Sequence, residues 1–344
     1  MWQLRGGVRN ERGAAARAAA RMTPVQRAHL TAQFDKRWVA TLDELVTLRY
    51  ERPADGLPAH VRAASALRRL ENRLVIVQDD VRALAVRDAG GAVRPVLLPP
   101  HASGARVFDD PVRNKREKLD LEACVVLPDG RLVVFGSGST PLREQLFVWN
   151  GNEPPVAVEA ASFYGALRAT VAQRGERLNV EGAVVSGPCI KLFHRGNDAR
   201  AVGVAAMNAI AELDTAAFVS WLDGRATPPL VTRVTTVDLG AERGVQFGFT
   251  DAVAVADDRV VVLACAEDSA SALADGPVLG CRVGLLAGDA LTMVDVHDAS
   301  GRRTTLKLEG IEPRPGFDTE FDVAVDVDRP SAPAMLGRLV WEWR

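Results

Sequence analysis

Several features that would assign a sequence to a class at once are missing from these 344 residues. No apolar run approaches the roughly 20 residues of a membrane-spanning helix. The N-terminus lacks the apolar stretch of a signal peptide, since its first 20 residues are rich in arginine and alanine. The formal net charge is only −2, so overall charge gives no indication of a nucleic-acid partner or an anionic membrane. We therefore predict a soluble protein that binds neither nucleic acid nor membrane.

Cysteine is also scarce. The four cysteines are spread along the chain, and none forms a CxxC pair: Cys124, Cys189, Cys265 and Cys281. Three of them lie in or beside apolar, strand-like runs, a setting that favours buried free thiols over disulfides or a zinc site. Free thiols indicate a reducing compartment, so we predict a cytoplasmic protein, and we expect a monomer.

Residues 1–40 differ in composition from the rest. They contain eight arginines and lysines but only Glu11 and Asp35 as acids, together with two clusters of alanine. This composition predicts a basic, disordered N-terminal extension, with a basic arm that binds an acidic partner as the alternative. Residues 41–344 are then expected to form one domain.

From residue 61 onward the sequence consists of short β-type runs separated by turns such as Pro128-Asp129-Gly130, where proline and glycine supply the required angles. The runs come in groups of four, and the first run of each group carries a polar residue at the same place. These residues are Ser65, Glu122, Glu181, Asp251 with Thr250 beside it, and Glu309. They are 57, 59, 70 and 58 residues apart.

A repeat of four short strands is typical of the blades of a β-propeller. The spacing predicts an all-β fold with five blades, or six if residues 231–239 begin a blade of their own. Two short inserted helices, at 162–172 and 214–222, account for chain length beyond the strands. The run at 45–50 is a spare strand, and its pairing with the C-terminal strands would close the ring and protect two edges.

The first strand of each blade lines the channel of a propeller, so the equivalent positions face one another. Carboxylates crowded in a channel repel one another unless they are protonated, hydrated or bound to a cation. Calcium prefers six to eight oxygen ligands, and neither histidine nor cysteine joins the set, which argues against zinc. The alternative is that the acids only meet solvent in a wet channel. We predict a bound Ca²⁺ with these ligands: Ser65, Glu122, Glu181, Thr250, Asp251 and Glu309.

In this order of side chains the sequence resembles the calcium-activated nucleotidases (apyrases), whose ring is serine, glutamate, glutamate, serine, glutamate. Gln78-Asp79-Asp80 lies where that family has a paired aspartate, although Val81-Arg82-Ala83 follows here in place of the family's Arg-Thr-Gly. The resemblance implies a five-bladed propeller with a central calcium and hydrolase activity on nucleotides. The sequence is similar as well to bacterial propellers of the phytase-like and gluconolactonase-like kind, which also hold calcium in the channel.

Turns at one end of the predicted blades carry the side chains suited to catalysis. His194 and Arg195 together offer a base and an anion clamp, and Glu267 and Asp268 lie at the matching place in the fourth blade. With Glu181, these residues are the catalytic candidates. The candidates for binding an anion are Lys118, Ser137 in a glycine-serine turn, and Arg195.

Two kinds of function fit these predictions. The first is a calcium-dependent hydrolase of a small anionic substrate such as a phosphoanhydride, a phosphoester or a lactone. The second is a non-catalytic scaffold, in which calcium ties the blades together and one face of the propeller binds a ligand or a protein.

Overall fold

Short strands rich in valine, leucine and alanine dominate the structure, a computed structural model that describes residues 24–109, 113–172, 176–196, 207–256, 258–269 and 276–343. The N-terminal segment contributes three of these strands, β1 (Gln26–Thr31), β2 (Gln33–Phe34) and β3 (Trp38–Thr47). The strands that follow pair into antiparallel sheets in which neighbours along the chain are neighbours in space. This is the arrangement of propeller blades.

Blades 1 and 2 each have four strands. Blade 1 contains β4 (Ala64–Leu70), β5 (Arg73–Gln78), β6 (Ala83–Arg87) and β7 (Val93–Leu97). Blade 2 contains β8 (Leu121–Val126), β9 (Leu132–Gly136), β10 (Gln145–Trp149) and β11 (Val156–Glu159). Helix α1 (Ala161–Val171) follows blade 2.

Blade 3 includes the second predicted helix. Its elements are β12 (Val180–Ser186), β13 (Cys189–His194), β14 (Asn208–Asp214), α2 (Thr215–Leu222) and β15 (Val231–Asp238). The Asp214 side chain caps α2 by accepting a hydrogen bond from the Ala217 amide at 2.7 Å. Both predicted helices are therefore confirmed, and neither is long and apolar enough to cross a membrane.

A two-stranded hairpin, β16 (Ala241–Glu242) and β17 (Val245–Gln246), leads to the last two blades. Blade 4 contains β18 (Gly248–Ala256), β19 (Arg259–Glu267), β20 (Val278–Ala287) and β21 (Ala290–Asp298). Blade 5 contains β22 (Lys307–Pro313), β23 (Glu320–Asp326) and β24 (Met335–Trp343). Its fourth strand is β3, which pairs antiparallel with β24.

The fold is thus an all-β, five-bladed propeller, as predicted. The six-bladed alternative is wrong, because β15 pairs antiparallel with β14 and completes blade 3. The strand from the N-terminal segment also differs in extent from the predicted run at 45–50, since β3 already begins at Trp38 and ends at Thr47.

The N-terminal segment crosses the outside of three blades. Strand β1 pairs in parallel with β15 of blade 3, β2 pairs in parallel with β21 of blade 4, and β3 joins blade 5. The prediction of a disordered extension is therefore wrong for residues 26–40, because strand edges of three blades are available to pair with them. Residues 1–23 lie outside the described residues.

Five apolar clusters fill the spaces between adjacent blades. Because each blade packs against a neighbour on both of its faces, strands such as β5 are buried almost throughout. Aromatic side chains of the two helices extend the cluster between blades 2 and 3, where the rings of Phe163 and Trp221 stack with their centroids 5.0 Å apart.

The cysteine prediction needs a correction. Cys265 on β19 lies opposite Cys281 on β20, and the two form a disulfide. The sequence alone does not reveal this pairing, because it depends on the register of two neighbouring strands, which places the two cysteines opposite each other. Cys124 and Cys189 are free thiols, as predicted. The cytoplasmic location stays a prediction.

Candidate metal centre at the channel mouth

The innermost strands of the five blades, β4, β8, β12, β18 and β22, share one irregularity. In each strand the pairing with the second strand of the blade skips a residue, which is a β-bulge. The skipped residues are Ser65, Glu122, Glu181, Thr250 and Glu309. A bulge removes its residue from the hydrogen-bond ladder and redirects the side chain. Each blade therefore presents one oxygen-bearing side chain at the same level of the channel, and we call these five residues the bulge ring.

The two hydroxyls of the bulge ring play equivalent parts. The Ser65 hydroxyl donates a hydrogen bond to the Leu121 carbonyl at 2.5 Å, and the Thr250 hydroxyl donates to the Leu308 carbonyl at 2.6 Å. Each bond joins one inner strand to the inner strand of the next blade. Because a hydroxyl oxygen has two lone pairs, both groups still have acceptor capacity for a cation.

Asp251 does not belong to the bulge ring, contrary to the prediction. The bulge falls on Thr250, so the ring positions are 57, 59, 69 and 59 residues apart. Asp251 is fully buried, and its carboxylate accepts hydrogen bonds from Arg68 and from the Ile311 amide at 3.0 Å. The sequence places a threonine and an aspartate side by side, and only the strand register decides which of them is the ring residue.

Polar side chains two positions before the bulge support the glutamates. The side-chain amide of Asn179 donates a hydrogen bond to the Glu181 carboxylate at 2.6 Å. The Lys307 ammonium lies 3.2 Å from the Glu309 carboxylate. The Arg195 guanidinium is 3.7 Å from Glu181. Arg195 is one of the predicted catalytic candidates, whereas Asn179 and Lys307 were not predicted, although their constant offset from the ring glutamates is a signal that the repeat contains.

The glutamates of the bulge ring hold protons more tightly than ordinary carboxylates. Burial raises the pKa of Glu181 to about 7, even though Arg195 favours its charged form. Burial and the neighbouring carboxylates of Asp120 and Glu181 raise the pKa of Glu122 well above its usual range. Burial has the same effect on the pKa of Glu309, and one oxygen of Glu309, Oε2, is buried without a hydrogen-bond partner in the described structure.

A cluster of three carboxylates adjoins the bulge ring on the blade 2 side. Oxygens of Asp79, Asp120 and Glu122 all lie within 4.8 Å of one another, and among the described histidine, cysteine and acidic residues they form the one group of three that does so. The Lys118 ammonium lies 2.7 Å from Asp79 and 2.8 Å from Asp120. Asp79 was noted as part of a paired aspartate, whereas Asp120 was missed, because it precedes the strand and has a left-handed backbone with φ of 55°.

Negative charge prevails at this mouth of the channel. The connected network has eight carboxylates: Asp79, Asp120, Glu122, Glu181, Glu267, Glu309, Asp326 and Asp328. It has four cationic side chains: Lys118, Arg143, Arg195 and Lys307. The surplus of carboxylates favours either bound protons or a bound cation.

A polar cleft of about 140 Å³ opens beside the network, between blades 1 and 5. Its wall includes a buried ion-pair group, in which Arg62 binds Asp109 at 2.9 Å and also binds Asp80. Lys115, Lys118, Arg329, Asp326 and Asp328 line it as well. Burial, with the charge of Asp328 nearby, raises the pKa of Asp326 to about 8, although Lys307 favours the charged form.

The structure brings some of the catalytic candidates together and separates others. Arg195 binds Glu267 at 2.8 Å and lies beside Glu181. His194 is buried away from this group, with its Nδ1 accepting a hydrogen bond from the Asn179 amide at 3.1 Å and its Nε2 3.5 Å from Glu176. The backbone amide of Asp268 donates to the Pro277 carbonyl at 3.0 Å. The catalytic roles of all five stay predictions.

The predicted anion-binding side chains already contact carboxylates. Lys118 binds Asp79 and Asp120, Arg195 binds Glu267, and the Ser137 hydroxyl donates to Asp120 at 2.6 Å. An anion would have to compete with these internal partners. Arg329, which is exposed at the cleft, is better placed to meet a ligand from solvent.

The fold and this site together define a class of protein: a five-bladed β-propeller whose channel mouth is ringed by carboxylates and hydroxyls. Within that class the chain belongs to a family of unknown function (DUF6929), whose model matches residues 60–339. The matched range contains all five residues of the bulge ring.

Several solved structures are similar to the chain at low sequence identity. Glutaminyl cyclase from Myxococcus xanthus is 13% identical over 93% of this chain and 100% of that one, with a TM-score of 0.45. Virginiamycin B lyase from Staphylococcus aureus is 8% identical over 85% and 69%, with a TM-score of 0.36. YCF48 from Cyanidioschyzon merolae is 11% identical over 82% and 68%, with a TM-score of 0.34. No curated protein matches the chain significantly.

Proposed function

We propose that the channel mouth binds a divalent cation, calcium by preference, and that the protein is a calcium-dependent hydrolase of a small anionic substrate. The ligands would come from the bulge ring: Ser65, Glu122, Glu181, Thr250 and Glu309. The single observation that carries the proposal is that the same bulge occurs in all five inner strands. Bulges are enriched beside active sites, where they redirect a side chain.

The chemistry of the bulge ring fits calcium. All five side chains offer oxygen, which is the ligand atom that calcium prefers, and none offers the nitrogen or sulfur that zinc and copper favour. The partnerless oxygen of Glu309 supports this assignment, because a buried acceptor without a donor is costly unless a cation satisfies it. With Thr250 as the ring residue, the order of hydroxyls and carboxylates follows that of the calcium-activated nucleotidases.

The cleft between blades 1 and 5 is the proposed substrate site. Calcium, when bound, would polarise the scissile bond of a phosphoanhydride, phosphoester or lactone and favour attack by water. Arg329 and Lys115 would hold the negative charge of the substrate at the cleft. A carboxyl group with the raised pKa of Asp326 keeps its proton near neutral pH and can donate it to a leaving group. Glu181, held by Asn179, is the candidate to accept a proton from water.

A metal analysis with thermal melts tests the cation. Wild-type protein should purify with bound calcium, and saturating calcium should raise its Tm by about 5 °C relative to EGTA. Glu309→Gln should lose most of this shift, because it removes a ligand charge with little change of shape. Glu159→Gln, on the exposed edge of blade 2, is the matched control and should retain the shift. The site would be refuted if the wild type purified without bound metal and its Tm did not depend on calcium.

A panel of phosphoanhydrides, phosphoesters and lactones tests the reaction. We expect calcium-dependent turnover of one of these classes, abolished in Glu181→Gln. Arg329→Ala should raise KM about tenfold and leave kcat nearly unchanged, because the arginine would bind the substrate outside the reacting bond. An unchanged KM in Arg329→Ala would show that the substrate binds elsewhere.

The second candidate is a scaffold in which the cation only joins the blades. Ion pairs of Lys118 with Asp79, of Arg195 with Glu267 and of Lys307 with Glu267 favour it, because they already join neighbouring blades at the channel mouth. For a scaffold, calcium should raise the Tm as above, whereas no substrate of the panel should be turned over.

A further inference from the structure

A second group of oxygens surrounds the axis deeper in the channel, below the bulge ring. Its centre is the guanidinium of Arg68, which stands three residues after Ser65 on β4 and has a side chain only 6% exposed. This guanidinium contacts inner strands from four of the five blades. It is the only arginine of the described inner strands that lies on the axis in this way.

The carbonyls that meet Arg68 occupy one position of the repeat. Nη2 donates to the carbonyl of Ala183 at 2.8 Å, and Nη1 donates to that of Ile311 at 3.3 Å. The carbonyls of Leu67 and Ala252 accept hydrogen bonds from the same two nitrogens. Each of these four residues stands two positions after the bulge of its blade. The five-fold arrangement of strands thus builds a cage of carbonyls around the axis.

Asp251 completes this cage with a charge. Its two oxygens accept hydrogen bonds from Nη1 of Arg68 at 3.1 Å and from Nη2 at 3.2 Å, a bidentate pair. The amides of Ala252 and Ile311 also donate to it, at 2.7 and 3.0 Å. Although burial opposes its charge, Arg68 is held ionised because the carboxylate of Asp251 raises its pKa.

The repeat shows that these two residues are exceptions at their positions. One position after the bulge, the other four blades have small residues: Ala66, Ala123, Gly182 and Gly310. Three positions after it, blades 2, 3 and 4 have valine (Val125, Val184 and Val253), and blade 5 has a buried glutamate, Glu312, whose charge also favours the ionised form of Arg68. Asp251 stands in a layer of small residues and Arg68 in a layer of three valines and one glutamate, and the two meet across the channel.

We propose that this cage is a second axial cation site, made of backbone carbonyls and Asp251, and that the chain fills it permanently with the guanidinium of Arg68. Rings of carbonyls are general binding sites for cations. A guanidinium suits this one because its planar fork directs donors to several acceptors at once, whereas a lysine ammonium offers only three donors from one point. The site is specific for a guanidinium-type cation and does not depend on the calcium proposed above it.

Chemical rescue tests the proposal. Arg68→Ala leaves the cage empty, and its Tm should fall by about 10 °C, because Asp251 and four carbonyls lose their donors. Guanidinium chloride at a low, non-denaturing concentration should restore part of this loss by occupying the cage. Equal concentrations of sodium chloride or urea should not. Arg69→Ala is the matched control, because it removes the neighbouring arginine, which forms a partly buried ion pair with Asp322 away from the cage. Guanidinium should lower the Tm of this variant as it lowers that of the wild type.

Two results would overturn the proposal: an Arg68→Ala protein as stable as Arg69→Ala, or a Tm that rises equally with guanidinium and sodium chloride. If Arg68→Ala does not fold, Asp251→Asn provides the test. It keeps the carbonyls and the guanidinium but removes the countercharge, so its Tm should fall by about 5 °C in both calcium and EGTA. An unchanged Tm in Asp251→Asn would equally refute the site. Failure of the calcium proposal would leave these expectations unchanged.

Discussion

The upper and lower parts of the channel are built from the same five strands, yet they differ in almost every property. At the bulge ring the ligating atoms belong to side chains, carboxylates outnumber cations, and an oxygen of Glu309 has no partner in the described structure. Around Arg68 the ligating atoms are backbone carbonyls and the buried carboxylate of Asp251, which pairs with the arginine directly, while Glu312 is buried nearby. The two parts of the channel differ although they are separated by only three residues along each inner strand, from the bulge residue to the position of Arg68.

This comparison indicates which part of the channel is suited to binding a ligand. The guanidinium of Arg68 already satisfies Asp251 and four backbone carbonyls, so the Arg68 cage serves cohesion. A surplus of carboxylates that the chain does not neutralise leaves binding energy for an ion from outside. The bulge makes the difference, because it takes one side chain per blade out of the regular packing.

The largest effect is expected from separating Arg68 and Asp251. Asp251→Ala should lower the free energy of unfolding by about 3–5 kcal/mol, because it leaves a buried guanidinium without its countercharge. In an Arg68→Met background the same replacement should cost far less, with a coupling energy of roughly 2–3 kcal/mol. Urea denaturation of the four proteins measures this cycle. Additive losses would mean that the two side chains act independently and that the lower site is not a unit.

A smaller effect is expected from the close approach of the inner strands. A Cβ added at Gly310 would lie 2.8 Å from the Leu67 amide nitrogen, so Gly310→Ala should destabilise the fold by about 2 kcal/mol. Gly165, in the middle of α1, has no atom within 4 Å of such a Cβ, and Gly165→Ala should stabilise by about 0.5–1 kcal/mol. Denaturation midpoints compare the two alanines. Equal effects would mean that the strands are less tightly packed around the axis than the structure has them.

The smallest effect is a pH dependence of the stability, to which two carboxyl groups of the upper part contribute. The pKa values of Glu181, near 7, and Asp326, near 8, are raised above those of the unfolded chain. Such groups contribute stability that is present below their unfolded pKa and is lost as pH rises through the folded pKa. In EGTA the Tm should therefore fall by a few degrees, ~3 °C, between pH 5 and pH 8, and calcium should reduce the fall. Glu181→Gln should reduce the slope of the curve and leave the part that belongs to Asp326, whereas a curve that keeps its full slope in this variant would assign the titration to other groups.

The sequence repeat predicted most of the fold. Glutamates at a constant spacing, with turns between apolar runs, predicted five blades and placed four of the five ring residues correctly. The fifth position was left open between Thr250 and Asp251, which were both predicted, because they are adjacent and a shift of one residue in a strand exchanges the two faces. The spacing of residues in the sequence does not show at which residue a β-bulge lies.

The supporting residues needed the three-dimensional arrangement. Lys118 was recognised as a basic residue near the mouth, but its position between Asp79 and Asp120 depends on a loop that brings blades 1 and 2 together. The strands within residues 26–40 escaped notice because their pairing partners, β15 and β21, lie more than 200 residues further along the chain. Local composition contains no information on such partners.

The N-terminal segment that crosses blades 3, 4 and 5 has a consequence for how the protein is made. Strand β3 is synthesised roughly 300 residues before its partner β24. Because contacts between distant parts of a chain slow folding, ring closure must wait until β24 has been synthesised. Until then β3 has β21 as a partner on one side, but its other edge and the edge of β23 in blade 5 are open to other strands. A nascent chain that stops before residue 335 should therefore aggregate, because the ring closes only when the nine-residue strand β24 is available.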